Sequence, residues 1–371
     1  MRFIARHRKK LNVMIIIICV IGFAYLAKRT MDIKDVDVDS KVYSGIAMGT
    51  AIKKTIYSEN ASQSDEIDKQ IDDTLKQLEE QISVRLPESE VAAVNRNYAV
   101  DGTYELSENL LEYLEVELQI FKETNGAFSP CVYPITSLWG IENGNTELPD
   151  ADMLAERVAC SNAVNIELKD DGIVFHKEDM AIDLGAVGKG IACDEVKETL
   201  MEMNVQGAVV SIGGSILAYG DKGNGKDWHI GIQDPRGEQG DVLGVVDVAP
   251  NTIISTSGDY EKYFEADGKR YHHIFDPATG YPADNGLISV TIISDNGFLT
   301  DALSTACFVM GLEDGMAYAT EKGVEAIFVT KEKEVYITKG LKKKFRLQAD
   351  SYSLKKKLYP LIPLVFITDI I

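Results

Sequence analysis

Two histidines stand side by side in YHHIFDPATGYP, residues 271–282, in a chain that has only five. An imidazole titrates near neutrality and is the usual group for taking a proton from a hydroxyl. In an extended strand neighbouring side chains point to opposite faces, so at most one of His272 and His273 enters a given site. Asp276, at the head of the turn that follows, is a candidate to orient a ring, as is a backbone carbonyl. A second stretch, FLTDALSTACFVMG at 298–311, reads as a helix with Asp301 and Thr305 four apart on one face and Ser304 beside them. A carboxylate and a hydroxyl so placed suit a hard cation such as Mg2+, which takes oxygen ligands and keeps water or phosphate as the rest. An acid placed early in a helix to complement its dipole has the same sequence.

Two glycine-rich stretches bear on phosphate. AIDLGAVGKGIACDEV, 181–196, hands a strand over to a helix through Gly185, Gly188 and Gly190 with Lys189 between them. Glycines let backbone approach a ligand closely, and a helix start attracts phosphate, although a plain strand-to-helix turn needs the same residues. The spacing does not match GxGxxG. GDKGNGKD, 220–227, falls short of a Walker loop: Asp227 stands where a Mg2+-binding hydroxyl is required, and WHIGI continues as strand. It reads as a hairpin loop.

The elements that must position these residues follow from periodicity. VYSGIAMGTAIKKTIY reads as a strand. Ile67, Ile71, Leu75, Leu78 and Ile82 recur at steps of three and four and predict a helix over 65–83. A second helix begins at the N-cap Ser107 and stops at Gly126, and a third covers 150–159. IELKDDGIVFHKEDMAID gives two strands around an Asp-Gly turn, followed by a helix over 190–203. Short strands come next: VQGAVVSIGG, SILAYG, WHIGIQD, VLGVVDV, TIISTSG, HHIFD and LISVTIIS. A helix over 299–310 ends at Gly311, and two strands around Lys331–Lys333 occupy 324–338. Early helices and a dense later run of strands, with few βαβ units, predict an α+β fold of mostly antiparallel sheets flanked by helices.

The chain has 371 residues, 45% of them apolar, enough for a sizeable core. Its net charge of -20 is uneven, because the seven Lys/Arg of residues 1–30 face no acid there. So acidic a remainder argues against nucleic-acid binding and for a cation cofactor beside an anionic ligand. MRFIARHRKK followed by LNVMIIIICVIGFAYLA predicts a basic segment and single-pass anchor over 1–30, with the rest of the chain outside the cell membrane. Cleavage after small residues such as Gly22 and Ala24 is the other reading. A tether over 31–42, one domain over 43–347 and a basic, then apolar tail over 348–371 complete the expected organisation. Cys131, Cys160, Cys193 and Cys307 are scattered without zinc-type spacing and read as small buried residues.

In their order the motifs resemble the FAD:protein FMN transferase family, also called ApbE-like and once described as thiamine-biosynthesis lipoproteins. The matching stretches are MGT at 48–50, PESEVAAVNR at 87–96, TNGAFSP at 124–130, IDLGAVGKG at 182–190, SIGG at 211–214, TSGDYEKYF at 256–264, HHIFDPATGYP at 272–282 and DALSTACFVMG at 301–311. The resemblance implies an ApbE-like fold and an enzyme that uses FAD as substrate and Mg2+ as cofactor to move FMN onto a Ser or Thr hydroxyl of another protein, releasing AMP. It implies that Met48, Phe128, Ser129 and Pro130 line the flavin site, that Asp183 and Lys189 contact FAD, and that Ile274 packs against it. It implies metal ligation by the Ala186 carbonyl, Asp301 and Thr305, with Ser304 assisting. His273 is the expected base, with His272 in reserve and Asp276 or a carbonyl as its support. After Ser83 the family often has an aromatic, whereas this chain has Val84 and Arg85; Arg85 would meet a phosphate or lie over a ring. The family's lipoprotein box is replaced by the apolar segment. The implied acceptors are flavoprotein domains of membrane or extracellular electron-transport systems. Hydrolysis of FAD to FMN and AMP is the alternative reaction.

Overall fold

The computed structural model describes residues 39–355 apart from 59, 224 and 239. The expected anchor, most of the tether and the end of the tail lie outside the described residues. No helix among the described residues is long and apolar enough to cross a membrane.

Eight helices are described, in chain order α1 (Ala61–Ile82), α2 (Glu90–Asn97), α3 (Glu108–Glu123), α4 (Tyr133–Trp139), α5 (Ala151–Cys160), α6 (Gly188–Glu202), α7 (Gly297–Met310) and α8 (Leu312–Glu321). The predicted stripe of α1, from Ile67 to Ile82, is buried, and Asn60 caps the helix by accepting from the Gln63 N–H at 3.0 Å. Ser107 caps α3 as its sequence predicts. Gly311, at φ 85°, ends α7 and lets α8 start in a new direction.

A nine-stranded sheet forms the centre. Its order is Asp39–Ala47, Thr50–Ser58, Gly207–Ile212, Ser215–Gly220, Thr252–Gly258, Leu287–Ser294, Glu325–Thr330, Glu334–Ile337 and Ser353–Leu354. All its pairings are antiparallel except the last. Both faces are covered, and side-chain alternation separates two cores. Ala326 and Phe328 pack with Leu75 of α1, Val196 of α6 and Leu303 of α7 in one cluster. Ile327 and Val329 join Trp228, Ile230 and Val246 in another, built with a three-stranded sheet of Trp228–Gln233, Val242–Val248 and Phe345–Leu347. A third, smaller core surrounds Trp139, with Ile135, Leu154, Phe264 and Phe275. The fold is therefore α+β with mostly antiparallel sheets and helices, as expected.

Several expectations change. VYSGIAMGTAIKKTIY is two paired strands, not one, because Met48 (φ 52°) and Gly49 (φ 67°) form a tight turn with both residues in the left-handed region. GDKGNGKD is not a hairpin loop: it leads from Ser215–Gly220 in the large sheet to Trp228–Gln233 in the small one. The strand expected at HHIFD stops at His272, where Lys269–His272 has paired with Tyr263–Ala266. Beyond it a single bridge between Phe275 and Pro282 closes the turn. The folded unit also overruns the expected 43–347, since strand pairing starts at Asp39, Tyr352 is buried and Ser353–Leu354 adds to the sheet edge.

Helices α6 and α7 meet at two glycines. A Cβ on Gly190 would lie 2.0 Å from the Gly297 carbonyl oxygen, and one on Gly297 would lie 2.2 Å from that of Gly190. Each helix supplies a carboxylate to the other's first turn, where N–H groups lack intrahelical partners. Asp301 Oδ2 of α7 accepts from Gly190 N–H at 3.0 Å, and Asp194 Oδ2 of α6 accepts from Phe298 N–H at 2.9 Å.

Candidate active site

Beside this helix crossing lies a cleft of about 380 Å3, lined from five directions by Met48, Arg85, Phe128, Asp183, Lys189 and His273 among others. The Met48–Gly49 turn forms one lip, and the Glu79 carboxylate accepts the Met48 N–H at 3.2 Å and so fixes it. Phe128 is buried and lines the cleft with Ser129, whose hydroxyl is already engaged, donating to Ser161 O at 3.0 Å and accepting from Cys131 N–H at 3.2 Å. Pro130 stands behind, its carbonyl accepting the Asp183 N–H at 2.8 Å. This bond anchors the start of the glycine stretch, in which the Asp183 carboxylate accepts from Gly185 N–H at 2.8 Å. Burial raises the Asp183 carboxyl above its ordinary range, opposed by the Gly185 N–H and by Arg85, Lys262 and Lys189.

Three cations face this space. Lys189 lies 3.5 Å from Asp301 Oδ2, Lys262 pairs with Glu142 at 2.6 Å, and Arg85 makes a close ion pair with the same carboxylate. Burial, then repulsion from Arg85 and Lys189, brings the Lys262 ammonium down to about 8. Glu79, Glu142, Asp183 and Glu261 also line the cleft, so an anion that enters meets the three cations with their carboxylate partners.

The two histidines part as strand geometry requires. His273 lines the cleft with Ile274, while His272 is buried and faces a different cavity. His273 Nδ1 lies 3.3 Å from the Lys262 carbonyl, which only accepts, so Nδ1 carries the hydrogen and Nε2 keeps its lone pair. Burial and then Lys262 push the His273 imidazole down to about 3, leaving it neutral. Its support is thus the backbone carbonyl. Asp276 instead organises its own turn, accepting from Ala278 N–H at 2.9 Å and from the Thr279 hydroxyl at 3.3 Å, and does not line the cleft.

The expected oxygen donors divide where α7 meets the cleft: Asp301 and Ser304 do not line it. Ala186 and Thr305 line it. Asp301 is 2% exposed, its carboxyl raised by burial against the opposing effects of Lys189 and the Gly190 N–H. Ser304 turns inward, donating to Asp301 O at 2.8 Å and meeting Ser257 Oγ at 2.7 Å; Ser257 also lies 3.1 Å from Thr305 Oγ1. Among the described residues no three or more His, Cys, Asp or Glu side chains cluster to hold a metal. A cation here would rest on one carboxylate with hydroxyl and carbonyl oxygens, a donor set that fits Mg2+ and suits neither zinc nor copper.

Sequence reasoning missed Lys262 and Glu142. Lys262 sits within the quoted TSGDYEKYF, but nothing in its local pattern separates it from a solvated lysine; only the fold brings it to Glu142, 120 residues away. Cys131, Cys160, Cys193 and Cys307 are free and buried, as expected.

Fold and cleft together define an α+β enzyme with a ligand site lined by paired cations and carboxylates. Comparison narrows this: the ApbE family profile matches residues 48–328. A FAD:protein FMN transferase of Klebsiella pneumoniae is 30% identical over 312 residues, covering 83% of this chain and 95% of that one. Another from Treponema pallidum is 31% identical over 328 residues, covering 84% and 90%. Among solved structures, the ApbE protein of Thermotoga maritima superposes with a TM-score of 0.76 at 29% identity, covering 83% of this chain and all (100%) of that one. The flavin transferase ApbE of Vibrio cholerae gives 0.74 at 27%, covering 83% and 99%. The chain belongs to the ApbE family of enzymes.

Proposed function

We propose that this enzyme transfers the FMN half of FAD to a Ser or Thr hydroxyl of an acceptor protein, with Mg2+ as cofactor. The observation that carries the reading is the convergence of Lys189, Lys262 and Arg85 with the neutral His273, Ala186 and Thr305 around one cleft, with Asp301 held just behind it, 3.5 Å from Lys189. Phosphoryl-type transfer calls for charge compensation and alignment more than for a covalent enzyme intermediate.

Lys189 and Lys262 would hold the FAD diphosphate, Met48, Phe128 and Ile274 its flavin nucleotide, and Arg85 either a phosphate or a ring face. The acceptor hydroxyl oxygen attacks the FMN-side phosphorus as its proton passes to His273 Nε2. The new P–O bond forms while the diphosphate bond breaks, and AMP leaves with the bridging oxygen. An anionic diphosphate beside His273 reverses the repulsion from Lys262 and Lys189, so the imidazole becomes a stronger base when substrate is bound. Asp301, Thr305 and the Ala186 carbonyl would hold Mg2+, which would add to the neutralisation of the diphosphate.

The seventeen-residue apolar run after five N-terminal bases supports a membrane-anchored enzyme with its domain outside the cytoplasm. Acceptors there would be flavoprotein domains of electron-transport systems. The test is mass spectrometry of candidate acceptor domains incubated with the protein, FAD and Mg2+. A covalent FMN increment that disappears with a chelator is expected. Free FMN and AMP with an unmodified acceptor would replace transfer by hydrolysis.

A further inference from the structure

A second cavity, of about 310 Å3, lies behind the histidine pair. The cleft described above is met by His273 and Ile274; this cavity is met by His272, Pro282 and Ala283. The partition is a single backbone layer stitched by hydrogen bonds. His272 Nε2 donates to Ala283 O at 3.1 Å, its Nδ1 accepts from Ile274 N–H at 3.2 Å, and Ala283 N–H donates to Ile274 O at 3.0 Å. With both ring nitrogens so engaged, His272 is neutral and fixed in orientation.

The charge on the cavity wall runs against the rest of the molecule. Arg236, Lys269, Arg270 and Lys331 line it against two carboxylates, Asp259 and Asp284, an excess of two positive charges in a chain whose net charge is -20. The six groups form two triads. Asp259 receives Arg236 through two bonds of 2.7 Å and has Arg270 at 3.8 Å; Asp284 has Lys269 at 3.4 Å and a close ion pair with Lys331. Each carboxylate is shared by two cations, and the Asp284 triad keeps about one unbalanced positive charge. Glu265 does not line the cavity but accepts from Arg270 Nε at 3.3 Å and from its Nη2 at 3.0 Å, closer than Asp259, so Arg270 is largely balanced from outside and the excess positive charge lies chiefly at Lys269 and Lys331. No Phe, Tyr or Trp is among the lining residues, which leaves no stacking surface for a nucleobase or flavin.

We propose that this cavity binds a small, free oxyanion, phosphate in kind, held chiefly by Lys269 and Lys331. The excess positive charge at Lys269 and Lys331, with Arg236 and Arg270 on the same wall, complements an anion, and the volume accommodates such an ion with several waters. Because the partition is one strand thick, the bound anion would sit on the reverse side of the backbone that holds His273, a binding function separate from flavin transfer.

The experiment is calorimetric titration of the full-length protein with inorganic phosphate at pH 8, with and without saturating FAD, repeated on the K269Q/K331Q variant and on K331Q alone. The two lysine side chains are 52% and 47% exposed, and thermal melts check that the variants fold. Saturable 1:1 binding that persists under FAD and weakens by about 10-fold or more in K269Q/K331Q, with a smaller loss in K331Q, is expected. Absence of saturable binding, equal binding by wild type and K269Q/K331Q, or complete displacement by FAD would overturn the proposal. Whether the protein transfers FMN has no bearing on the lysine comparison.

Discussion

Asp301 has two tasks that one pair of substitutions separates. Its carboxylate is proposed to hold Mg2+, and it also accepts the Gly190 N–H that starts α6. Asp301→Asn keeps an acceptor oxygen for that N–H and removes the charge. Asp301→Ala removes both, leaving a buried donor unpaired at a cost of about 1–3 kcal/mol. From the sequence alone Asp301→Ala looks harmless to the fold; at 2% exposure it is not. Burial raises the Asp301 carboxyl above its unfolded value, so the folded chain binds more protons than the unfolded one above the ordinary carboxylate range. The stability tied to that proton is complete at low pH and is lost as pH rises through the raised value. Asparagine lacks this loss, so at pH 7 without metal Asp301→Asn should melt no lower than wild type, and Asp301→Ala a few degrees below Asp301→Asn. Transfer should fall on the order of 100-fold or more in both, as when one preorganised electrostatic contact is removed. Melting curves and initial rates of covalent FMN incorporation across a Mg2+ series provide the assay. Wild-type rates for Asp301→Asn would refute the metal role, and coincident melts for the two variants would refute the capping role.

Replacing His273 by Ala should slow transfer about 100-fold or more while FAD still binds, read as kcat against FAD affinity; an unchanged rate moves proton removal to another group. Lys262, at about 8 in the free enzyme, should regain a proton when FAD brings its negative diphosphate. FAD binding between pH 8 and 10 should therefore take up ~1 proton per site and weaken as pH rises, measured calorimetrically in buffers of differing ionisation heat. Proton-neutral binding there would remove Lys262 from the diphosphate site. Glu117 is fully buried in α3 with both carboxylate oxygens unpartnered, and burial holds its carboxyl well above the ordinary range. Glu117→Met should raise stability by about 1–3 kcal/mol at pH 7 and flatten the loss of stability above pH 5, by urea titration. A destabilised variant would show that the acid has a partner function.

The elements legible in the sequence were those with strong period and clear caps, such as α1 with its Ile67-to-Ile82 stripe and α3 behind Ser107. The seven-residue α4 and the eight-residue α2 were not read, because short helices carry too few turns for a stripe. Motif residues on the glycine stretch, α7 and the histidine turn pointed to the cleft because each carries its chemistry locally. Lys262 and Glu142 could not be seen so, since their meaning arises from a contact 120 residues apart. The inward turn of Ser304 was hidden too: helical spacing places it near Asp301 but does not say which neighbour, here Ser257, will claim its hydroxyl.

The bare glycine contact between α6 and α7 sets where this enzyme can vary. Lys189 and Asp301 are adjacent only because those two backbones touch, with 2.0 Å of room where a methyl would have to go. Changes of ligand preference are therefore expected around residues 133–143, where a short helix and the turn after it line the cleft. A side chain at either glycine would move Lys189 and Asp301 apart and strain the helix crossing in the same step.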